Sequence, residues 1–222
     1  MIKAVLFDGD DTLYTVKKFI EGIDMQVMGR ISKKTGVSAE KLYAEWKKIV
    51  GGLIKNPSPK VRYRDYSYGA LMKKQGIKNA EAEGKSEYAF FNSGLLSRIE
   101  LMPGVKGVLE ELGKKYKLAL VTGDRKERVG KKLKKFGLSR CFNAVITSTD
   151  TGVMKPSTKY YELAAKKLNV RPEECIVVGN SLTDDIQPAG EFGIKTVMLN
   201  SSKGDYSITS HGELRGILEK LK

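Results

Sequence analysis

The 222-residue sequence is poor in cysteine and has almost no histidine. Its two cysteines, Cys141 and Cys175, flank apolar runs. That excludes a disulfide-stapled secreted scaffold and predicts buried free thiols in a reducing compartment, the cytoplasm. The single histidine, His211, lies in a polar stretch, which excludes a His-based catalytic triad and any multi-His zinc site. No apolar run approaches the ~18 residues needed to cross a bilayer, so no membrane partner is expected. The opening Met1-Ile2-Lys3-Ala4-Val5-Leu6-Phe7-Asp8 turns acidic after a few apolar residues, unlike a secretory signal. What is present is ordinary for a globular chain: 41% hydrophobic and 30% charged residues, enough for a core that needs no staples. The net charge of +14 favours anionic partners such as phosphorylated metabolites, nucleotides or nucleic acid. A lysine-rich solvated face gives the same number, so charge alone assigns no function.

Short apolar runs recur at Ile2 to Phe7, Leu118 to Val121, Ala144 to Ile146, Ile176 to Val178 and Lys195 to Leu199. They are rich in Val, Ile and Leu without alternation, as expected of strands buried on both faces of a parallel sheet. Helical periodicity falls between the later runs, at Val105 to Tyr116, Glu127 to Phe136 and Lys159 to Leu168. Alternating strand and helix predicts an α/β fold with a Rossmann-like, doubly wound parallel sheet. The stretch from Thr15 to about Leu101 breaks that rhythm. It offers helices at Val16 to Thr35, Ser38 to Ile49, Tyr66 to Gln75 and Glu87 to Leu96, with Asn56-Pro57-Ser58-Pro59 as a breaker. The expected organisation is a catalytic core from residues 1–14 and 100–222 with an inserted all-helical cap domain at 15–99.

Ligands of open α/β sheets bind beyond the carboxyl ends of the strands. The residues there are Asp8-Gly9-Asp10-Asp11-Thr12, Thr122-Gly123-Asp124, Gly152-Val153-Met154-Lys155-Pro156 and Gly179-Asn180-Ser181-Leu182-Thr183-Asp184-Asp185. Clustered carboxylates repel unless a cation neutralises them, and oxygen donors of this kind suit Mg²⁺. A lysine beside them offers positive charge to a transferring phosphoryl group. Taken singly, Asp8, Asp10 and Asp11 read as loop or cap residues, Thr122 and Ser181 as caps, and Lys155 as a solvated loop lysine. Their joint order favours the functional reading.

Those four segments together resemble the haloacid dehalogenase superfamily over essentially the whole chain. The first motif stands as Phe7-Asp8-Gly9-Asp10-Asp11-Thr12-Leu13, the second as Leu118-Ala119-Leu120-Val121-Thr122, the third as Lys155-Pro156, and the fourth as Gly179 to Ile186. A helical insertion between the first two is the arrangement of the C1-capped branch. The resemblance implies a phosphatase acting on a small phosphorylated metabolite. Asp8 would be the nucleophile and Asp10 the acid–base group, with Thr122 and Gly123 on the phosphoryl oxygens and Lys155 offsetting charge. It also implies Mg²⁺ at Asp8, the carbonyl of Asp10 and the fourth motif, represented by Asn180, Asp184 and Asp185. The usual first Asp of that motif is Asn180 here, which predicts weakened Mg²⁺ binding because an amide oxygen carries no charge. Asp10 favours phosphate over halide, since a 2-haloacid dehalogenase needs no acid there; a phosphomutase shares the machinery.

Two basic stretches lie outside the motifs. Lys60-Val61-Arg62-Tyr63-Arg64-Asp65-Tyr66-Ser67-Tyr68 reads either as tyrosines packed inward with arginines outside, or as a recognition segment in which Arg62 and Arg64 bind the substrate. The cluster Arg125, Arg128, Lys131, Lys132, Lys134 and Lys135 reads as a solvated helix face, with Val129, Leu133 and Phe136 inward. Trp46 reads as core. A phosphate-accepting signalling module would lack the helical insertion. A non-catalytic anion- or nucleic-acid-binding protein is disfavoured by Asp8, Asp10, Thr122 and Lys155 standing together. The expected assembly is a monomer or homodimer.

Overall fold

The computed structural model describes residues 1–54, 56 and 58–221. Its chain divides into two compact units, Met1–Thr15 with Glu100–Lys222, and Val16–Ile99. Among the described residues no helix is long and apolar enough to cross a membrane.

The first unit is built on six parallel strands: β1 Ala4–Phe7, β2 Lys117–Val121, β3 Ala144–Ile146, β4 Cys175–Gly179, β5 Lys195–Leu199 and β6 Tyr206–Ile208. Their order is β3-β2-β1-β4-β5-β6. The first strand is therefore central, and the chain winds outward from it in both directions. All four residues of β1 are buried, which is why its sequence carries no alternation. One face of the sheet packs Leu6, Val121, Ile146 and Val177 against Tyr160, Tyr161, Ala164 and Leu168 of α9 (Lys159–Leu168). Two further helices link strands as the periodicity predicts, α6 (Val105–Leu112) and α7 (Lys126–Phe136). The sixth strand has no counterpart among the expected runs. It is three residues long with only Ile208 buried, and the Asp205 carboxylate holds it by accepting from the Thr196 amide at 2.7 Å and hydroxyl at 2.9 Å.

The second unit is helical: α1 (Lys17–Thr35), α2 (Ala39–Leu53), α3 (Pro59–Arg62), α4 (Arg64–Lys74) and α5 (Ala80–Arg98). Ser38 caps α2 by accepting from the Lys41 amide at 3.4 Å. Of the expected breaker, Asn56 and Ser58 lie between α2 and α3 and Pro59 opens α3, while Pro57 lies outside the described residues. The unit's core gathers Ile23, Val27, Met28 and Ile31 with Trp46, Tyr68 and Phe91. Trp46 stacks on Tyr68 at 5.4 Å and donates from its indole to Ser67 Oγ at 3.0 Å. Helix α5 starts well before the expected Glu87. Its first turns are Ala80-Glu81-Ala82-Glu83-Gly84, which hold no apolar stripe. A close crossing organises them instead: a Cβ on Gly84 would stand 2.5 Å from the backbone of Asp65 and Gly69. Only glycine admits that approach of α4 to α5.

Polar groups in this core reverse part of the expected pattern. Arg64 points inward, its guanidinium donating to Asp24 at 2.9 and 3.0 Å and lying 4.5 Å from the Phe91 ring. Tyr66 is exposed instead. The buried Asp24 carboxylate requires a cation, and the flexible arginine stem delivers one while packing on aromatic faces. Arg64 is thus the counter-charge of the buried Asp24, with its side chain 26% exposed.

Candidate active site

Placing β1 between β2 and β4 puts the ends of three strands side by side. The register pairs Phe7 with Leu120 and with Val178, so Asp8 emerges level with the last residues of both neighbours. The Asp8 amide donates to Val178 O at 2.9 Å, and the Thr122 amide to Ile146 O at 2.9 Å. This is the point where strand order reverses, the ordinary ligand site of such sheets.

Lys155 joins the first, third and fourth segments. Its Nζ donates to Asp8 Oδ1 at 2.7 Å and to Asp185 Oδ1 at 2.6 Å, and its side chain is 7% exposed. The peptide between Lys155 and Pro156 is cis. Asp185 Oδ2 also accepts from the Ser181 amide at 3.0 Å. That geometry needs a bare Gly179, where a Cβ would stand 2.5 Å from Asp185 Cβ. Each oxygen of Asp185 thus accepts one hydrogen bond, from Lys155 and from the Ser181 amide, which ties the third and fourth segments together. Behind them, Tyr161 donates to the Asp185 carbonyl at 2.9 Å and Tyr160 to the Val153 carbonyl at 2.7 Å. Helix α9 thus braces two of the four segments through hydroxyls that apolar periodicity alone does not reveal.

The charge balance is uneven. Two buried carboxylates share one ammonium, so burial and the neighbouring Asp185 push the Asp8 carboxyl up to about 7, against the pull of Lys155. Burial opposes the charge on Lys155, but Asp8 and Asp185 outweigh it and hold the ammonium well above its usual range. A surplus of buried negative charge is what a divalent cation would neutralise.

Asn180 Oδ1 accepts from the Thr12 hydroxyl at 3.2 Å, tying the fourth segment to the first. Asp184 lies exposed on the turn Leu182–Ile186, its amide donating to Ser181 Oγ at 3.1 Å. Among the described residues no three His, Cys, Asp or Glu side chains converge as a metal-holding group. The oxygen donors that suit Mg²⁺ are mixed: Asp8 Oδ2, the carbonyl of Asp10 and the amide oxygen of Asn180. Their chemistry, hard oxygens beside a surplus of buried negative charge, is of the kind that suits the ion.

Asp10 departs from Asp8. Its Oδ1 accepts from Lys132 Nζ at 2.6 Å, and the same ammonium lies 2.9 Å from Asp124 Oδ2. Lys132 is buried, so it is the member of its basic cluster that departs from the expected solvated face. Burial works against its charge, yet Asp10 and Asp124 raise its pKa above the usual value. Burial likewise opposes ionisation of Asp124, but Lys132 and Arg128 hold its carboxyl below the usual range. Thr122 is buried and its Oγ1 accepts from the Asp124 amide at 3.3 Å, while Gly123 is half-buried between them. Arg62 ends α3 in the helical unit.

One expectation about the cysteines changes: Cys175 is buried, its thiol pushed up to about 12 by desolvation, but Cys141 is only half-buried. His211 is 4% exposed and hydrogen-bonds the Thr12 backbone. Asp11 adopts a left-handed conformation at φ 58°, which Asp tolerates better than most residues, letting the Thr12 and Leu13 amides turn back onto the Gly9 carbonyl.

Comparison with known proteins agrees with this architecture. The chain is 30% identical over 207 residues to the glyceraldehyde 3-phosphate phosphatase of Methanopyrus kandleri, covering 91% of this chain and 86% of that protein. A crystal structure of a haloacid dehalogenase phosphatase from Thermococcus onnurineus superposes with a TM-score of 0.75 at 29% identity, covering 98% of each chain. A 2-haloacid dehalogenase from Pseudomonas syringae shares the fold with a TM-score of 0.80 at 21% identity over the full length of both. The model of haloacid dehalogenase-like hydrolases matches residues 2–193, a span that takes in all four motif segments and the helical insertion, and the chain belongs to that hydrolase family.

Proposed function

We propose that the protein is a Mg²⁺-dependent phosphatase that hydrolyses a small phosphorylated metabolite through an aspartyl-phosphate on Asp8. The observation that carries this reading is Lys155 bridging Asp8 and Asp185 at the central strand end, in a chain whose relative acts on glyceraldehyde 3-phosphate. A three-carbon phosphorylated aldehyde is therefore the first substrate to test. The protein would work in the cytoplasm as a monomer or homodimer, with the helical unit as its cap domain and Arg62 as that unit's candidate for substrate contact. Asp10 favours an ester over a halide substrate, because an alkoxide leaves far better when protonated.

Asp8 attacks phosphorus: an Asp8 Oδ–P bond forms, the bond from phosphorus to the ester oxygen breaks, and Asp10 gives its proton to that oxygen. Water then attacks the aspartyl-phosphate, Asp10 takes the water proton, and inorganic phosphate leaves with Asp8 regenerated. Lys155 faces charge on the phosphoryl group while fixing the Asp8 rotamer, and the Thr122 hydroxyl and Gly123 amide hold phosphoryl oxygens. Asp8, the Asp10 carbonyl and Asn180 would hold Mg²⁺, which would neutralise phosphoryl and carboxylate charge, and Asp184 on the same segment as Asn180 would add a further carboxylate.

The test is hydrolysis of glyceraldehyde 3-phosphate and p-nitrophenyl phosphate by the wild type across a Mg²⁺ titration, with EDTA as zero. Turnover that needs Mg²⁺ is the expected result. Failure on both esters and on a panel of small phosphorylated metabolites would overturn the reading.

A further inference from the structure

Helix α7 carries Arg128, Lys132 and Phe136 at successive spacings of four, so all three share one face. That face meets the first and second motif segments rather than solvent. Arg128 pairs with Asp124 at 3.3 Å, Lys132 reaches both Asp124 and Asp10, and Phe136 stacks on Tyr14 at 5.7 Å. The Lys132 ammonium also lies 5.0 Å over the Tyr14 ring. The Tyr14 hydroxyl is buried without a hydrogen-bond partner among the described residues, close over Gly9.

Burying an ammonium costs several kcal/mol unless carboxylates surround it. Asp124 is shared with Arg128, which pairs with the same carboxylate at 3.3 Å, so Asp124 alone does not account for the buried Lys132. The second bond, to Asp10, is what the buried lysine adds. Asp10 is 35% exposed at its side chain, so without this anchor its carboxylate has rotamers open to solvent. Lys132 holds Oδ1 and leaves Oδ2 for the transferring proton. The lysine is itself fixed by burial, with its ammonium over the Tyr14 ring, which Phe136 stacks against. Proton transfer in the transition state depends on such fixed geometry, since a misplacement of an ångström costs orders of magnitude in rate.

We infer that Lys132 is a positioning residue for the reaction: it anchors the Asp10 carboxyl in the rotamer that delivers a proton to the leaving oxygen. The inference rests on the phosphatase reading and adds to it a residue outside the four motifs.

The experiment measures kcat/KM of wild type, Lys132→Met, Lys132→Arg, Asp10→Asn and the Asp10→Asn/Lys132→Met double variant on two esters. Glyceraldehyde 3-phosphate has an alkyl leaving group that needs a proton; p-nitrophenyl phosphate has one that leaves almost unaided. Because kcat/KM reports steps up to formation of the phosphoenzyme, a positioning role gives an unequal loss. Lys132→Met should lose about 30-fold on the alkyl ester and no more than about threefold on the aryl ester. Lys132→Arg keeps the charge and should recover part of the alkyl loss. The double variant should be no worse than Asp10→Asn. Equal losses on both esters, no loss on either, or losses that add to Asp10→Asn would overturn the inference. Should Lys132→Met fail to fold, Lys132→Arg carries the test, since an unequal loss is still required of it. A wild type that turns over neither ester defeats the phosphatase reading itself, whereas an active wild type with equal losses defeats only the role of Lys132.

Discussion

Both units of the protein bury carboxylates, but they treat them differently. In the helical unit, Asp24 accepts from both nitrogens of Arg64 and from the Tyr68 hydroxyl at 2.5 Å. Glu87, fully buried, takes Arg30 at 2.6 Å and Lys34 at 3.0 Å. Each of these two carboxylates is met by at least one full positive charge and a second donor group. In the sheet unit, Asp8 and Asp185 share the single ammonium of Lys155, and Asp8 is left with its carboxyl pushed up to about 7. Saturated charge holds a fold together; charge left partly unanswered is free to meet a substrate or an ion. The difference separates structure from chemistry without reference to any motif.

Substitutions sharpen or break that comparison. The largest effect is expected for Asp8→Asn, which should lower kcat at least about a thousandfold while leaving the thermal midpoint unchanged or higher. Steady-state assay beside thermal unfolding checks both halves. Next comes a matched pair of cation deletions. Lys155→Met should cut kcat/KM at least about a hundredfold, whereas Arg64→Met should cost about 3 kcal/mol in urea unfolding and leave kcat/KM of the folded protein within about threefold. If Arg64→Met raised KM sharply without loss of stability, the division between the units would fail. Asn180→Asp adds the charge that the fourth segment lacks, so the Mg²⁺ concentration for half-maximal rate should fall about tenfold. An unchanged Mg²⁺ curve would remove Asn180 from the ion's surroundings.

The smallest effect concerns a satisfied carboxylate within the sheet unit. The Arg171 amide, Lys3 and the Arg171 side chain hold the Glu174 carboxyl down at about 2. A depressed carboxyl contributes stability above its unfolded pKa and loses it as pH falls through the folded one. The thermal midpoint of Glu174→Gln should therefore lie slightly below wild type at pH 7, with the gap closing as pH falls toward about 2. Activity should not change, because this carboxylate has nothing left to offer.

Much of the sheet is legible in the sequence because strands buried on both faces need unbroken Val, Ile and Leu, as in Ala4–Phe7 and Cys175–Gly179. The edge strand Tyr206–Ile208 is not, since one buried residue in three leaves no pattern. The start of α5 is hidden for a related reason: its first turns carry no apolar stripe, and the close crossing at Gly84 and Gly69 that organises them leaves no pattern in the sequence. At the site, the residues immediately after each strand are legible from position alone. Lys132 is not, because five neighbouring basic residues on the same helix camouflage the one that turns inward. A signal existed in its spacing from Arg128 and Phe136, but apolar periodicity does not weigh charged residues. Arg64 shows the reverse case, a basic residue among tyrosines that reads as outward-facing or as recognition, whereas the structure pairs it with the buried Asp24.

The central claim is that Asp8 carries the phosphoryl group during turnover. Acid-quenching the Asp10→Asn variant during reaction with p-nitrophenyl phosphate and mapping its peptides by mass tests it most directly, because loss of the acid–base group should slow hydrolysis of the acyl phosphate more than its formation from an aryl ester. One phosphoryl group on the peptide bearing Asp8, removed by hydroxylamine and absent from the Asp8→Asn/Asp10→Asn protein, is the predicted result. Release of p-nitrophenol with no phosphoryl group on that peptide, or with one on another residue, would contradict it.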